Sequence, residues 1–412
     1  MYEPASVSLP VHVQPAAARL TVRAQHGPEA IDRLAPEWAA LLRHLPEASA
    51  FATPGWARAW WLTYGRHHRA VLLDVRDGER LVALLPLQVS HVRGLGVRVL
   101  EMLGGSAPEW RIWIRNPHGL GLSYVNELLV APGWEEQTLA ALRAFLASGE
   151  LRWDAIRFCC VPEESALAAG FDELARGWSP RRTPFARLRV DTGRSWEEYR
   201  ASLSKRQRQD TRYKPNELTR AVGCELQLDV VQGEGAADAV EEFVELFERR
   251  WTARGKPGLL PGEADMYRNL VREEPSLVVF RLLGGERVLA SQIGFDDGRR
   301  YTPYNYAFDP DLSEKSPSHV LTQMIIERCC EDAHTSIEQL TVAMGRHWSK
   351  QETTTHTLEA THPGAASRLR AGVLRGAGNA VHGAQTTTLG HRARAGLARV
   401  AAAARRRPAR DG

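Results

Sequence analysis

Several things are scarce in this 412-residue chain, and each scarcity excludes a class of protein. Five cysteines, set as the adjacent pairs Cys159-Cys160 and Cys329-Cys330 and a single Cys224, supply neither a disulfide framework nor a C-x-x-C metal clamp. They read as small apolar residues on buried faces. No run approaches the roughly 18 consecutive apolar residues of a membrane span, and Met1 to Gln14 lacks the basic-then-apolar order of an export signal, so a cytoplasmic protein is expected. There is no G-x-x-x-x-G-K-[ST] phosphate loop, no H-E-x-x-H and no G-x-S-x-G, and Gly94-Leu95-Gly96 lacks the third glycine and acidic partner of a dinucleotide fingerprint. Kinase, hydrolase and dehydrogenase chemistry lose support, and no metal is expected.

What is present is ordinary in bulk: 43% hydrophobic and 25% charged residues, close to the globular average. The length suggests two or three domains. The net charge of +4 is unevenly spread, because Thr361 to Gly412 carries ten Arg and one acidic residue, leaving 43 basic against 48 acidic residues in 1–360, a net of −5. A mildly acidic globular part is followed by a basic, largely disordered tail over 361–412, with one helical stretch at Ala395 to Arg406. The tail is charged to make peripheral contact with an anionic membrane surface or another polyanion, and no specific nucleic acid is expected.

Along the chain, two successive units repeat one order: helices, a strand meander, a helix and a strand. In the first, Ile31 to Leu45 and the Trp56, Trp60, Tyr64 stripe read as helices. Strands Val71 to Val75 and Leu81 to Val89 flank the turn pair Asp77-Gly78, and Val97 to Leu103, Glu127 to Val130, Trp134 to Ala147 (a helix) and Ala155 to Phe158 follow. In the second, strand Ala186 to Val190 precedes a charged helical stretch from Ser195 that Pro215 breaks, and then strand Glu225 to Val231 and the amphipathic helix Ala236 to Arg254. A meander comes next, Leu277 to Leu283, Val288 to Phe295 and Arg300 to Phe308, turning at Gly284-Gly285 and Asp297-Gly298. Helix Pro317 to Asp332 and strand Ile337 to Val342 close the unit. The spacing therefore predicts an α/β fold in two tandem domains, 20–185 and 186–360, with mixed, mostly antiparallel sheets flanked by helices.

Residues able to carry chemistry concentrate in Arg300 to Lys350. Period two puts Thr302, Tyr304, Tyr306 and Phe308 on one face of a strand that contains Pro303, which cannot donate to a ladder and so implies an edge, a bulge or a splayed strand. A splayed strand leaves backbone groups near Asn305 free to pair with a ligand. Ser316 is a suitable N-cap, Pro317 suits the first helical position, and the helix start at Ser318 and His319 presents free N–H groups to an anion such as a pyrophosphate.

The order of these elements, with "LVALLPLQ" at Leu81 to Gln88, "SWEEYRASLSKR" at Ser195 to Arg206, "VLASQIGF" at Val288 to Phe295, the aromatic strand, Ser316-Pro317, and Gly345 followed by Lys350, resembles the FemAB-related, CelD-like (cellulose biosynthesis) branch of the GNAT acyltransferases over residues 30 to 360. The resemblance implies GNAT-like folds for both domains and transfer of an acyl group, acetyl above all, from acyl-CoA to an amine or hydroxyl of a cell-envelope or polysaccharide-related acceptor. It also implies that Pro303, Asn305, Ser316, Pro317, Ser318 and His319 hold CoA. Tyr304 and Tyr306 become candidate acids or positioning groups, His319 and His347 candidate bases, and Lys350 a candidate stabiliser of negative charge. The chain departs from the branch in having Ser318-His319 where glycine is common, Ser349-Lys350 in place of Tyr-Lys, and the neutral Thr341 to Met344 ahead of Gly345. Two other readings share these residues: a FemAB-type aminoacyl-tRNA-dependent ligase, and a GNAT pair that has become a non-catalytic scaffold.

Overall fold

A computed structural model describes residues 20–65, 69–92, 96–105, 122–256, 258–340, 347–349 and 351–373. In chain order its elements are β1 (Thr21–His26), α1 (Pro28–Leu42), α2 (Pro54–Tyr64), β2 (Arg69–Asp77), β3 (Arg80–Val92), β4 (Val97–Met102), β5 (Leu129–Val130), α3 (Glu135–Ser148), β6 (Ala155–Pro162), α4 (Ala166–Leu174) and β7 (Arg181–Asp191). They continue with α5 (Trp196–Ser202), α6 (Lys205–Val222), β8 (Leu226–Gln232), α7 (Ala236–Thr252), α8 (Glu263–Glu273), β9 (Leu277–Gly284), β10 (Arg287–Asp296), β11 (Arg300–Phe308), α9 (Pro317–Glu331), β12 (Ser336–Leu340) and β13 (Gln351–Thr361).

The α/β class with a mixed, mostly antiparallel sheet flanked by helices is as expected, but one sheet runs through both units. Its order is β1-β2-β3-β4-β6-β13-β7-β12-β11-β10-β9-β8, with β5 beside β3. Read inward from its two edges, the order is symmetric: four antiparallel strands, then a parallel pair, β4 with β6 on one side and β11 with β12 on the other. At the centre β7, which runs across the expected boundary at 185/186, pairs with β12, whereas β13 pairs with β6, and the two lie antiparallel against each other from Gln351↔Arg189 to Glu359↔Arg181.

A large core follows the same logic, because Phe51 and Trp56 of the first unit pack with Phe243, Tyr267, Phe295 and Tyr304 of the second. A second core, with Val278, Phe280, Tyr301, Val320, Leu321 and Ile325, draws its buried residues from Leu188 to Trp348. Between the units α2 meets α8 so closely that a Cβ on Gly55 would stand 2.1 Å from the Glu273 carbonyl oxygen. Around that contact Thr53 donates to Glu274, Asn269 donates to Thr63 Oγ1 at 2.9 Å, and Arg58 pairs with Glu273 at 3.2 Å.

Several local expectations are corrected. The hairpin loops are Gly78-Glu79 and Gly285-Glu286, one residue beyond the pairs read from sequence, with glycine supplying φ of +58° and +61°. The charged helical stretch from Ser195 breaks at Leu203, not at Pro215. Two capping boxes, Ser195 with Glu198 and Ser204 with Gln207, start two separate helices there, and α6 then runs straight through Pro215. A mid-helix proline leaves the carbonyl four residues back without its donor. Here that carbonyl belongs to Thr211, and Gln323 of α9 supplies the missing hydrogen bond through Nε2 at 3.0 Å. The first part of the basic tail also has order: residues 365–373 are helical, and Ser367 Oγ donates to Asp154 Oδ1 at 2.7 Å. The remainder, 374–412 with the Ala395 to Arg406 stretch, lies outside the described residues.

Gln323→Met is expected to destabilise the protein by about 1–3 kcal/mol, because it orphans the buried Thr211 carbonyl. Adding Pro215→Ala restores an N–H at the right place and should recover part of that loss. Urea midpoints of wild type, both single variants and the double variant test the coupling, and strictly additive effects would refute it.

Candidate functional site

The site grows from one irregularity in β11. Ile293 pairs with Asn305 and Gly294 with Pro303, so Tyr304 is an extra residue, a bulge next to the proline that cannot donate. Beside the bulge, Gly294 leaves room for the Tyr301 ring, which a Cβ there would meet. The extra residue shifts the alternation, and the expected single face of Thr302, Tyr304, Tyr306 and Phe308 is not formed. Tyr304 joins the core shared by the two units, whereas Tyr306 and Phe308 pack with the second core. On its other side β11 pairs with β12 only through Arg300↔Ser336 and Tyr301↔Ile337, so among the described residues the strand splays beyond Tyr301.

Along that splayed segment side chains take the place of a ladder. Tyr306 N–H donates to the Oδ1 of Asn305 at 2.9 Å, and the Tyr306 carbonyl accepts from Arg250 of α7 at 2.9 Å. Asn305 Nδ2 donates to the Tyr267 hydroxyl at 2.9 Å and to Glu263 Oε1 at 3.3 Å, and Tyr267 in turn donates to Glu263 at 2.5 Å. Glu263 also accepts from Leu260 N–H, and burial nevertheless pushes its carboxyl above the usual range. Tyr304 sits among the rings of Phe51, Trp56, Tyr124, Tyr267 and Phe295 at 5.2 to 5.8 Å, with its hydroxyl unpartnered and held neutral by burial.

The second part of the site is the start of α9. Pro317 occupies the first helical position as expected, but Ser316 is not the expected side-chain cap. It is left-handed, at φ 55°, and its hydroxyl makes no capping bond; its carbonyl instead accepts from His319 N–H at 2.9 Å. Among the described residues the Ser318 N–H has no acceptor. His319 and His347 are brought together, ring centroids 4.3 Å apart, with Trp348 at 4.5 Å from His319. Helix α6 lays Lys214 and Asp210 beside them, Asp210 reaching within 3.9 Å of His347 Nε2 and 4.0 Å of Lys214 Nζ. Burial first, then the Lys214 charge, pushes His319 down to about 3, and His347 moves the same way. A neutral imidazole is thus available to donate to an anion, but so acidic a conjugate acid makes a weak base. No contact joins Tyr304 to the histidines among the described residues. Lys350 and Gly345 lie outside them.

Sequence reasoning missed Glu263, Tyr267, Arg250 and Lys214. Helix α8 was legible in principle, since Glu263 and Asp265 open it after Pro261-Gly262, and Met266, Tyr267 and Leu270 keep helical spacing. Among the described residues no group of His, Cys, Asp and Glu could hold a metal ion, and no helix is long and apolar enough to cross a membrane.

The depressed His319 has a consequence for stability. The unfolded chain takes up a proton near pH 6.5 and the folded protein only near 3, so this contribution is fully present above 6.5 and is lost as pH falls toward 3. His319→Asn is therefore expected to show a shallower fall in urea midpoint than wild type on acidification from about pH 7 to about pH 4. Parallel curves for the two proteins would refute the assignment.

Residues 205–346 match the family model described as an acetyltransferase (GNAT) domain. No curated protein matches the chain. Among solved structures, FemX aligns over 84% of this chain and 99% of its own at 10% identity, with a TM-score of 0.56. The C-terminal domain of a candidate lysylphosphatidylglycerol synthetase from Agrobacterium fabrum aligns over 84% and 95%, at 10% identity and a TM-score of 0.50. A tandem GNAT protein from the clavulanic acid biosynthesis pathway covers 84% of this chain and 99% of its own at 11% identity, with a TM-score of 0.42. At such identities the likeness is one of fold, and the chemistry enters through the domain match: the second unit, with β11 and the start of α9, carries a GNAT-type acetyltransferase domain.

Proposed function

We propose that this protein transfers an acyl group from acyl-CoA to an amine or hydroxyl of a cell-envelope or polysaccharide-related acceptor. The observation that carries the reading is the continuity of the splayed, bulged β11 with the α9 start, where Ser318 opens the helix and two neutral imidazoles lie together near the Lys214 charge. Backbone groups along β11 suit an amide-bearing arm such as pantetheine, and a helix N-terminus beside cations suits a pyrophosphate. The match of residues 205–346 to the GNAT domain supports the donor, and the resemblance to the CelD-like branch supports the acceptor class.

On this reading the acceptor attacks the thioester carbonyl, the new bond to nitrogen or oxygen forms as the carbon–sulfur bond breaks, and the thiolate leaves. Glu263 takes the acceptor's proton; burial has raised its carboxyl toward the working pH, which makes it the better base of the groups present. The neutral, unpartnered Tyr304 hydroxyl returns a proton to the sulfur, and Tyr306 positions the arm. His319, His347 and Ser318 bind phosphate.

Ser318→Glu places a carboxylate at the second helical position, where it is compatible with the helix but repels an anion. CoA affinity measured by calorimetry should fall by about tenfold or more, a difference of about 1.4 kcal/mol, with the melting temperature of the free protein preserved. Unchanged affinity in a folded variant, or stabilisation of wild type by aminoacyl-tRNA and not by any acyl-CoA, would overturn the reading.

A further inference from the structure

Arg250 is only 5% exposed, yet among the described residues it holds no carboxylate. Three other arginines buried to a similar degree do: Arg76 pairs with Asp74 and Glu37, Arg157 with Glu359, and Arg300 with Glu47 and Asp297. The two hydrogen bonds of Arg250 go to neutral oxygens of one residue, the Tyr306 carbonyl at 2.9 Å and the Tyr306 hydroxyl at 3.3 Å. Its Nε is buried with no acceptor. The guanidinium carbon lies 4.4 Å from the centroid of the Tyr306 ring, 4.4 Å from that of Phe308 and 5.0 Å from that of Trp251. Ring faces offset part of the cost of burying a cation, but they do not replace a counter-charge.

A second cation shares the place. Arg254, exposed and four residues on, sets its guanidinium 5.5 Å from the same Phe308 ring, and Lys256 approaches Trp251 at 5.7 Å. The adjacent Arg249 is already paired with Asp309. Burial and the Arg254 charge both depress the Arg250 guanidinium, the direction that a missing anion produces. The carbonyl held by Arg250 belongs to the splayed segment of β11, so whatever binds here lies at the open edge of that strand. The start of α9 has cations of its own on α6 and does not depend on these.

We propose that Arg250 and Arg254 form the seat of an oxyanion, a carboxylate or phosphate carried by the acyl acceptor, at the open edge of β11 beside Tyr306. This inference rests on the acyltransferase reading for the words "acyl acceptor" and on the geometry alone for the anion. It narrows the acceptor to molecules that bear an acidic group near the amine or hydroxyl that is acylated.

The test uses the full-length protein and inorganic phosphate or succinate as probes, with chloride at matched ionic strength as control. Melting temperature should rise with either probe beyond chloride, because a ligand bound only by the folded state stabilises it. The succinate rise should vanish, and the phosphate rise should fall, in Arg254→Gln, an exposed substitution that leaves the fold alone. Arg250→Gln should lose the response too, and should melt above wild type in chloride because an unpaired buried charge has gone. Equal shifts in all three salts, or an intact succinate response in Arg254→Gln, would overturn the seat. Repeating the titration in saturating CoA assigns the source: additive shifts support an acceptor group, whereas loss of the phosphate response assigns the seat to the phosphates of CoA and overturns the proposal. A protein that answers phosphate but not CoA keeps the anion seat and refutes the acyl-CoA reading instead.

Discussion

Tyr304 enters β11 as one residue more than β10 can pair, and a strand with an extra residue must bend away from one neighbour. Pro303 fixes where this happens, because a ladder cannot close through a residue without an N–H. Two things follow that an unbulged strand could not give together. Tyr304 turns into the core shared by the units, so its place is set by rings from both halves of the chain, and Tyr306 remains at the splayed edge, where its backbone is held by Asn305 and Arg250. The same local irregularity therefore fixes the unit interface and opens the strand.

The interface has to be firm for such a site to be defined to within an ångström. It is secured by topology before side chains contribute anything: β13 of the second unit lies between β6 and β7, so pulling the units apart would strip its ladder with β6. Side chains then fix the register between helices, with Gly55 permitting contact of α2 with α8, and Arg300 reaching from β11 to the carbonyl groups of Glu47 and Ala48 at 3.0 Å. Because α8 carries Glu263 and Tyr267, the first unit positions the proposed base without itself supplying it.

Much of the frame was legible in the sequence, and the reasons are local. Pro303 inside an aromatic alternation marked the irregular strand, and Pro317 ahead of Val320, Leu321 and Ile325 marked the helix after it, because proline geometry and period need no tertiary information. What depended on contacts between distant segments was not legible. The helical run through Pro215 is tolerated only because Gln323 lies within reach of Thr211, 112 residues away. Strand β13, rich in threonine, is a strand because β6 and β7 leave a space between them. The left-handed turn at Ser316 outweighs a residue preference for capping, since the preceding turn from Pro310 to Lys315 fixes the approach of the chain. Arg250 looks like any other charge in the Glu248 to Arg250 run until its burial is known.

Charge is distributed over the site in a way that separates binding from proton transfer. His319 is pushed down by burial and by Lys214, so near neutrality it neither carries a charge that would trap product nor competes for the acceptor's proton. Glu263 is moved the other way by burial, among tyrosines whose hydroxyls are themselves held neutral. On the proposed reading the opposite shifts separate two tasks, the imidazoles going with the phosphate end and the carboxyl with the reacting end. Arg250 fits neither place, being charged, buried and unpaired at the strand edge between them. A fold does not keep such a cation against its desolvation cost for packing alone, since a hydrophobic side chain would fill the gap between Tyr306 and Phe308 at less expense. A counter-charge brought by the substrate resolves that cost at the moment of binding, and makes recognition of the acceptor and completion of the cleft the same event.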